Sequence, residues 1–270
     1  MKPPTAAVAR PHPDRIEVPA GHGWLGIPSA LAAVAVNVRW FAARRPGTPL
    51  RVLSLIAIDT ALRSRGIIIT PDRRQAVIEV MELGALLNDR FDGDAHDLHA
   101  LRASVAWFAR SAHREVIRSY VKRLRRLERT RPDPAQGMTA GIHYREGVNH
   151  VSLAVLWALA RGRSLAAAEM EIVREADLCL LFQIVMQTQL IDDVLDVRQD
   201  RRRGLPSFAS GPEVTAASLV EMVSVYADPT PVGLNRNFCL RVALKIVATG
   251  TRALLAIRAA DVSNGYRAGR

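Results

Sequence analysis

Four carboxylates crowd one short stretch of this chain. Between Gln189 and Gly204 lie Asp192, Asp193, Asp196 and Asp200, followed at once by Arg201, Arg202 and Arg203. No glycine or proline interrupts the stretch before Gly204, and an apolar run from Cys179 to Val185 leads into it. It therefore reads as the end of a long helix. Residues four apart stack on one helix face, so Asp192, Asp196 and Asp200 form a column with Asp193 beside it. Like charges in one column repel, and a plain solvated helix would intersperse lysines at these spacings. Carboxylates gathered this way suit a hard divalent cation, which takes oxygen ligands and bridges to phosphate oxygens. The bland alternative is a polar helix end facing water.

A second oxygen-rich cluster raises the value of the first. Asn88, Asp89 and Asp92 fall at i, i+1 and i+4 after an apolar helix, and Asp94 and Asp97 open the next segment. On its own this could be a helix end and a turn, since Asp-Gly is common turn chemistry. Two such ends can open at one mouth of a bundle if the helices pack antiparallel to their connectors. The interior would then be an apolar cavity and the mouth a metal site, a layout for a substrate with a phosphate head and a greasy tail. Arg145, Asn149, Ser152 and Leu156 share a face of a third helix. That polar stripe either lines the mouth, with Arg145 near the phosphate, or faces water. His143 and His150 read as ordinary polar positions, and an all-oxygen donor set favours Mg²⁺ over zinc.

The elements that must hold these residues are helical. The chain has 270 residues, of which 49% are apolar and only 5% aromatic, which favours packed helices over a β sandwich. Residues 1–22 lack periodicity and read as a flexible tail, leaving 23–270 as one all-α domain, an antiparallel helical bundle around an apolar cavity. A first buried helix runs from Trp24 to near Arg44, and a second from Leu50 to Leu62. Thr70-Pro71-Asp72 is a helix start leading to the Asn88 cluster. Further helices are expected over Asp97–Arg129, Gly141–Arg161, from Ser164 into the aspartate stretch, over Glu213–Tyr226 and over Asn235–Ala259. Only Gly66–Thr70 alternates like a strand.

Charge and cysteines narrow the setting. The net charge is +11, which favours anionic partners. Two cysteines, Cys179 and Cys239, make no disulfide framework or zinc spacing, and a reducing, cytoplasmic compartment fits. Asp14, Glu17 and Pro28 argue against a signal peptide, and no stretch reads as long enough to span a bilayer. The basic stretch 110–131 alternates cations with Val116, Ile117, Tyr120 and Leu124. It is either the solvated face of a packed helix or a peripheral contact with anionic membrane; it carries no nucleic-acid motif.

Here a resemblance enters. Gln189-Leu-Ile-Asp-Asp-Val-Leu-Asp-Val-Arg-Gln-Asp-Arg-Arg-Arg-Gly204 resembles the second aspartate-rich motif of the squalene/phytoene synthases. Asp192, Asp196 and Asp200 match its three aspartates, and Arg202, Arg203 and Gly204 its tail. Asp192-Asp193-Val-Leu-Asp196 also resembles the second motif of the trans-prenyl diphosphate synthases, and Asn88-Asp-Arg-Phe-Asp-Gly93 looks like the first motif of both. The order of the motifs fits the class I isoprenoid synthases. Asn88 stands where those enzymes usually have Asp, and Arg102 is the nearest residue to their usual arginine pair.

The resemblance implies a Mg²⁺-dependent terpene synthase or prenyltransferase. Three Mg²⁺ ions, or Mn²⁺ in their place, would sit between the motifs and the substrate diphosphate. Asn88, Asp89 and Asp92 would hold metal on one wall, and Asp192, Asp193, Asp196 and Asp200 on the other. Arg145, Asn149, Arg201, Arg202 and Arg203 would bind substrate. Diphosphate would leave, and the allylic cation would couple or cyclise. Helical homodimers are common among such enzymes. Two other classes stay open: a catalytically weak prenyl-diphosphate-binding partner subunit, and a basic helical protein that binds membrane or nucleic acid.

Overall fold

The structure is a computed structural model and describes residues 26–42, 49–93, 98–133, 136–205, 207, 214–227 and 237–264. The tail expected over 1–22, Asp94, Asp97 and the Arg201 side chain lie outside the described residues. Among these the chain forms eleven helices and no strand: α1 (Gly26–Ala42), α2 (Pro49–Arg63), α3 (Pro71–Phe91), α4 (Leu98–Arg110), α5 (Arg114–Arg129), α6 (Met138–Arg161), α7 (Leu165–Arg174), α8 (Ala176–Leu195), α9 (Val197–Arg203), α10 (Ala216–Val225) and α11 (Phe238–Asn264). Gly66–Thr70 is a turn and connector rather than a strand.

Several helix ends follow local chemistry. Thr70 is extended and hands over to Pro71 at the start of α3, where a missing N–H costs nothing. Ser164 caps α7 by accepting the Ala167 N–H. Gly162 ends α6 at φ +66°, and a Cβ there would lie 2.5 Å from the Arg73 guanidinium. The left-handed backbone favours glycine at that point.

Three breaks divide segments that the pattern reads as continuous. The stretch expected as one helix over 97–129 is α4 and α5. Between them Ser111 Oγ donates to the Phe108 carbonyl at 2.9 Å and accepts the His113 N–H at 3.2 Å, local bonding that competes with the helix. Glu175 separates α7 from α8. Asp196 then caps α8, its N–H on the Asp192 carbonyl, so the aspartate stretch is the end of α8 plus all of α9.

The first helix is also not the buried element expected. α1 lies on α2 and touches α11; Ala33 and Asn37 are buried, while Leu31, Val34 and Val38 are exposed. A buried polar knot ties it down. The Asp59 carboxylate, fully buried, accepts from Asn37 Nδ2 at 2.9 Å, Arg63 Nε at 3.0 Å and Arg74 Nη1 at 3.3 Å. Arg74 also donates to Asn37 Oδ1.

The largest core cluster surrounds Trp157 and Phe108 and draws on α2 to α7, the first half of α8 and the start of α11. A second joins Met186, Leu190 and Val194 of α8 to Leu219 and Val223 of α10 and Leu255 of α11. Phe182 packs against both. By length and composition α8 could cross a bilayer, contrary to the sequence expectation. Its setting is interior: Asp177, Gln183, Gln187 and Asp193 are buried on it, and α6, α7 and α11 pack against it.

Candidate functional site

The site is assembled on the first turns of α6. Arg145 and Asn149 of α6 meet Asp193 and Met186 of α8, respectively, so the two helices run antiparallel. α5 is antiparallel to α6 as well, with Glu128 beside Tyr144 and Leu127 beside Gly147. The N-terminal end of α6 therefore lies next to the C-terminal end of α8. Through α5 and the Arg131 that follows it, it also reaches the C-terminal end of α3.

On the α8 side, Arg145 Nη2 donates to Asp193 Oδ1 at 3.0 Å; the Asp193 side chain is 1% exposed and that of Arg145 16%. Gln189 Nε2 donates to the same oxygen at 2.7 Å and approaches Asp192 Oδ2 at 3.5 Å. Asp192 and Asp196 are exposed, whereas Asp193 and Asp200 turn inward. Backbone bonds four residues apart run through Asp192, Asp196 and Asp200, from the Asp196 N–H to the Asp192 carbonyl at 3.0 Å and from the Asp200 N–H to the Asp196 carbonyl at 2.9 Å, but their side chains differ in exposure. Burial, then Asp193 and Asp196, raise the Asp192 carboxyl above its usual range, with Arg145 and Gln189 opposing. Asp200 is pushed up to about 7 by burial and by Asp193, against the pull of Arg145. Burial disfavours charge on Arg145, but Asp193, Tyr144, Asp200 and Asp192 outweigh it and hold the guanidinium charged. Arg145 faces three carboxylates, Asp193, Asp200 and Asp192, an arrangement that added positive charge would relieve.

On the α3 side, Asn88 and Asp89 are exposed and Asp92 is half-buried. Asn88 Nδ2 donates to Asp92 Oδ2 at 3.1 Å, and Arg131 Nη1 pairs with Asp92 Oδ1 at 2.9 Å. Arg131 also lies 3.6 Å from Glu128, which accepts the Tyr144 hydroxyl at 2.5 Å. The Arg145 guanidinium sits 5.8 Å from the Tyr144 ring centroid. One chain of contacts thus runs from Asp92 through Arg131, Glu128, Tyr144 and Arg145 to Asp193. Burial and the Glu128 carboxylate raise the Tyr144 pKa, so the phenol stays a donor.

Gln189 and Asp192 also stand at one end of a half-open apolar pocket of about 510 Å³ between α2, α6, α8 and α11, with Ala30 of α1. Ala57, Leu153, Leu156, Ile184 and Ala243 are among its walls. On α8 the wall runs from Leu181 to Asp192, a helix length of about 16 Å.

Of the remaining sequence candidates, Arg202 and Arg203 are exposed at the end of α9. That helix closes on Gly204 at φ +66°, with the Leu205 N–H on the Asp200 carbonyl at 2.9 Å. Asn149 is buried against Met186 Sδ, so the stripe on α6 is not a water-facing one; its Leu156 reaches the cavity wall. Gln189, Arg131, Glu128 and Tyr144 were not singled out from sequence. Gln189 was findable, lying three and four residues before Asp192 and Asp193. Arg131 was not, because its partner Asp92 is distant in the chain.

The donor set suits Mg²⁺ in being all oxygen. Among the described residues no three His, Cys, Asp or Glu side chains already converge on one point. Mg²⁺ ordinarily keeps several waters and is held by one or two carboxylates plus substrate phosphates, which these paired carboxylates can supply. No protein-family model, curated protein or solved structure matches the chain.

Proposed function

We propose that this chain is a Mg²⁺-dependent isoprenoid synthase of the class I type that ionises a prenyl diphosphate. The observation that carries the reading is the apolar cavity of about 510 Å³ with Asp192 and Gln189 at its end and the Asp193–Arg145 pair alongside. Its volume falls within the roughly 300–1,000 Å³ of ligand pockets, and its walls suit a hydrocarbon chain.

In this reading Asp192 and Asp196, exposed at the end of α8, hold metal on one side, and Asp89 with Asn88 does so on the other. Asp193 and Asp200 turn inward beside Arg145. Bound Mg²⁺, with Mn²⁺ as a substitute, supplies the positive charge that makes diphosphate a leaving group. Arg145, held by Asp193, presents a permanent cation to diphosphate oxygens, and Arg202 and Arg203 approach from α9. The C–O bond breaks with its electron pair on the diphosphate. The aliphatic walls keep water from the allylic cation while it couples or cyclises.

A second reading rests on Asp92, which Asn88 and Arg131 both engage: a partner subunit that binds prenyl diphosphate without turning it over. Diphosphate release from geranyl, farnesyl and geranylgeranyl diphosphate, with and without Mg²⁺, separates the two. Mg²⁺-dependent release supports the synthase, and Mg²⁺-dependent binding without release supports the partner subunit. Neither binding nor release would overturn both.

A further inference from the structure

A second concavity lies away from the aspartate site. A groove of about 630 Å³ runs between α3, α4 and α5. Its floor is apolar: Leu101, Val105 and Ala109 of α4 and Val121 of α5 are its accessible aliphatic residues, over the buried Leu83, Leu87, Phe108 and Ile117. Its rim is cationic: Arg114, Arg118, Lys122, Arg125, Arg126 and Arg129 all line it from α5, and all six are exposed. Five of them recur at intervals of three and four residues, so they project along one face of the helix.

The charge on this rim is mostly uncompensated. Arg114 and Arg118 share Glu115. Glu128, the other acid on α5, faces away to Arg131 and Tyr144. Among the described residues, Lys122, Arg125, Arg126 and Arg129 have no carboxylate partner. Val105, 49% exposed, brings apolar surface to the same opening. A rim built only to offset charge within the fold would carry acids across the groove, and α3 and α4 place aliphatic side chains there instead.

We infer that this groove docks the protein on an anionic lipid bilayer, with phosphate headgroups on the α5 cations and acyl chain against the floor. A nucleic acid would use the cations but leave the aliphatic floor without a role; the floor's only aromatic, Phe108, is 2% exposed and cannot stack on a base. The two halves of the groove match the two halves of an anionic lipid. Docking here does not depend on what the aspartate site does.

The test is flotation of the full chain with phosphatidylcholine vesicles and with phosphatidylcholine–phosphatidylglycerol vesicles, alongside a duplex DNA binding assay. The expected result is binding to the anionic vesicles, weakened by salt, with little on pure phosphatidylcholine. A variant carrying Lys122→Gln, Arg125→Gln, Arg126→Gln and Arg129→Gln should lose on the order of 100-fold or more in vesicle partitioning. All four side chains are exposed, so the fold should survive. Val105→Asn, which removes apolar surface without adding charge, should also weaken vesicle binding while leaving any DNA binding unchanged. The inference is overturned if no vesicle binds, or if vesicles and DNA bind alike and only the charge variant matters. It is also overturned if a soluble single-chain anionic amphiphile saturates the groove while vesicles do not bind.

Discussion

Replacing Arg145 by methionine keeps most of the side-chain volume and removes the guanidinium that lies 3.0 Å from Asp193. The Asp193 side chain is 1% exposed and that of Arg145 16%, so the change takes a guanidinium away from a buried carboxylate that also accepts the Gln189 amide at 2.7 Å. Asp192 and Asp200 add repulsion. Removing one partner of a buried pair costs roughly 3–5 kcal/mol. The partial exposure of Arg145 and the Gln189 bond put the expected loss near the lower end, about 3 kcal/mol. For a chain somewhat above the size of the largest domains so calibrated, each kcal/mol moves the melting temperature by about 2–4 °C. Thermal unfolding in EDTA should therefore show a fall of roughly 6–12 °C. Added Mg²⁺ should recover more of the loss in Arg145→Met than it adds to the wild type, because an ion can take over part of the guanidinium's role. A loss below about 1 kcal/mol, the worth of an exposed pair, would refute the burial argument. An equal response to Mg²⁺ in both proteins would refute the claim that these carboxylates need a cation.

Other perturbations probe other parts. Asp200 has a folded-state pKa of about 7 against a usual 3.8, so the folded chain binds that proton more tightly than the unfolded one. The group therefore makes stability fall as pH rises through that window without metal. Asp200→Asn should melt higher than wild type above pH 7 and lose the advantage toward pH 3.8, as a pH series of melting curves in EDTA would show. Asp59→Leu removes the carboxylate 3.3 Å from the Arg74 guanidinium, which is 3% exposed, and should cost about 3–5 kcal/mol, read as a lower urea midpoint. Ala57→Phe fills part of the cavity and should weaken binding of a prenyl diphosphate at least about tenfold while shifting stability by less than roughly 2 kcal/mol.

The helices were legible where termination is written in local chemistry. Thr70-Pro71, Ser164 and Gly162 each mark an end through a cap, a ring or a left-handed backbone. The breaks at Ser111–His113, Glu175 and Asp196 carry neither glycine nor proline. They arise from side chain–backbone bonds and from the packing of the flanking helices, which periodicity does not report. The exposure of α1 was hidden for a related reason: a segment apolar on nearly every face does not say which of them finds a neighbour. At the site, residue types and spacing named the aspartates and Arg145. The inward turn of Asp193 and Asp200 and the pairing of Arg131 with Asp92 depend on how α5, α6, α8 and α9 meet in space.

The most direct test of the central claim is Mg²⁺-dependent diphosphate release by the wild type, Asp192→Ala and Asp89→Ala, with mass spectrometry of the organic extract. The account predicts release from at least one prenyl diphosphate by the wild type, none in EDTA, and a loss in both folded variants. The product mass then distinguishes coupling from cyclisation. Release that persists in both variants, or none from a folded wild type with any of the three substrates, would contradict it.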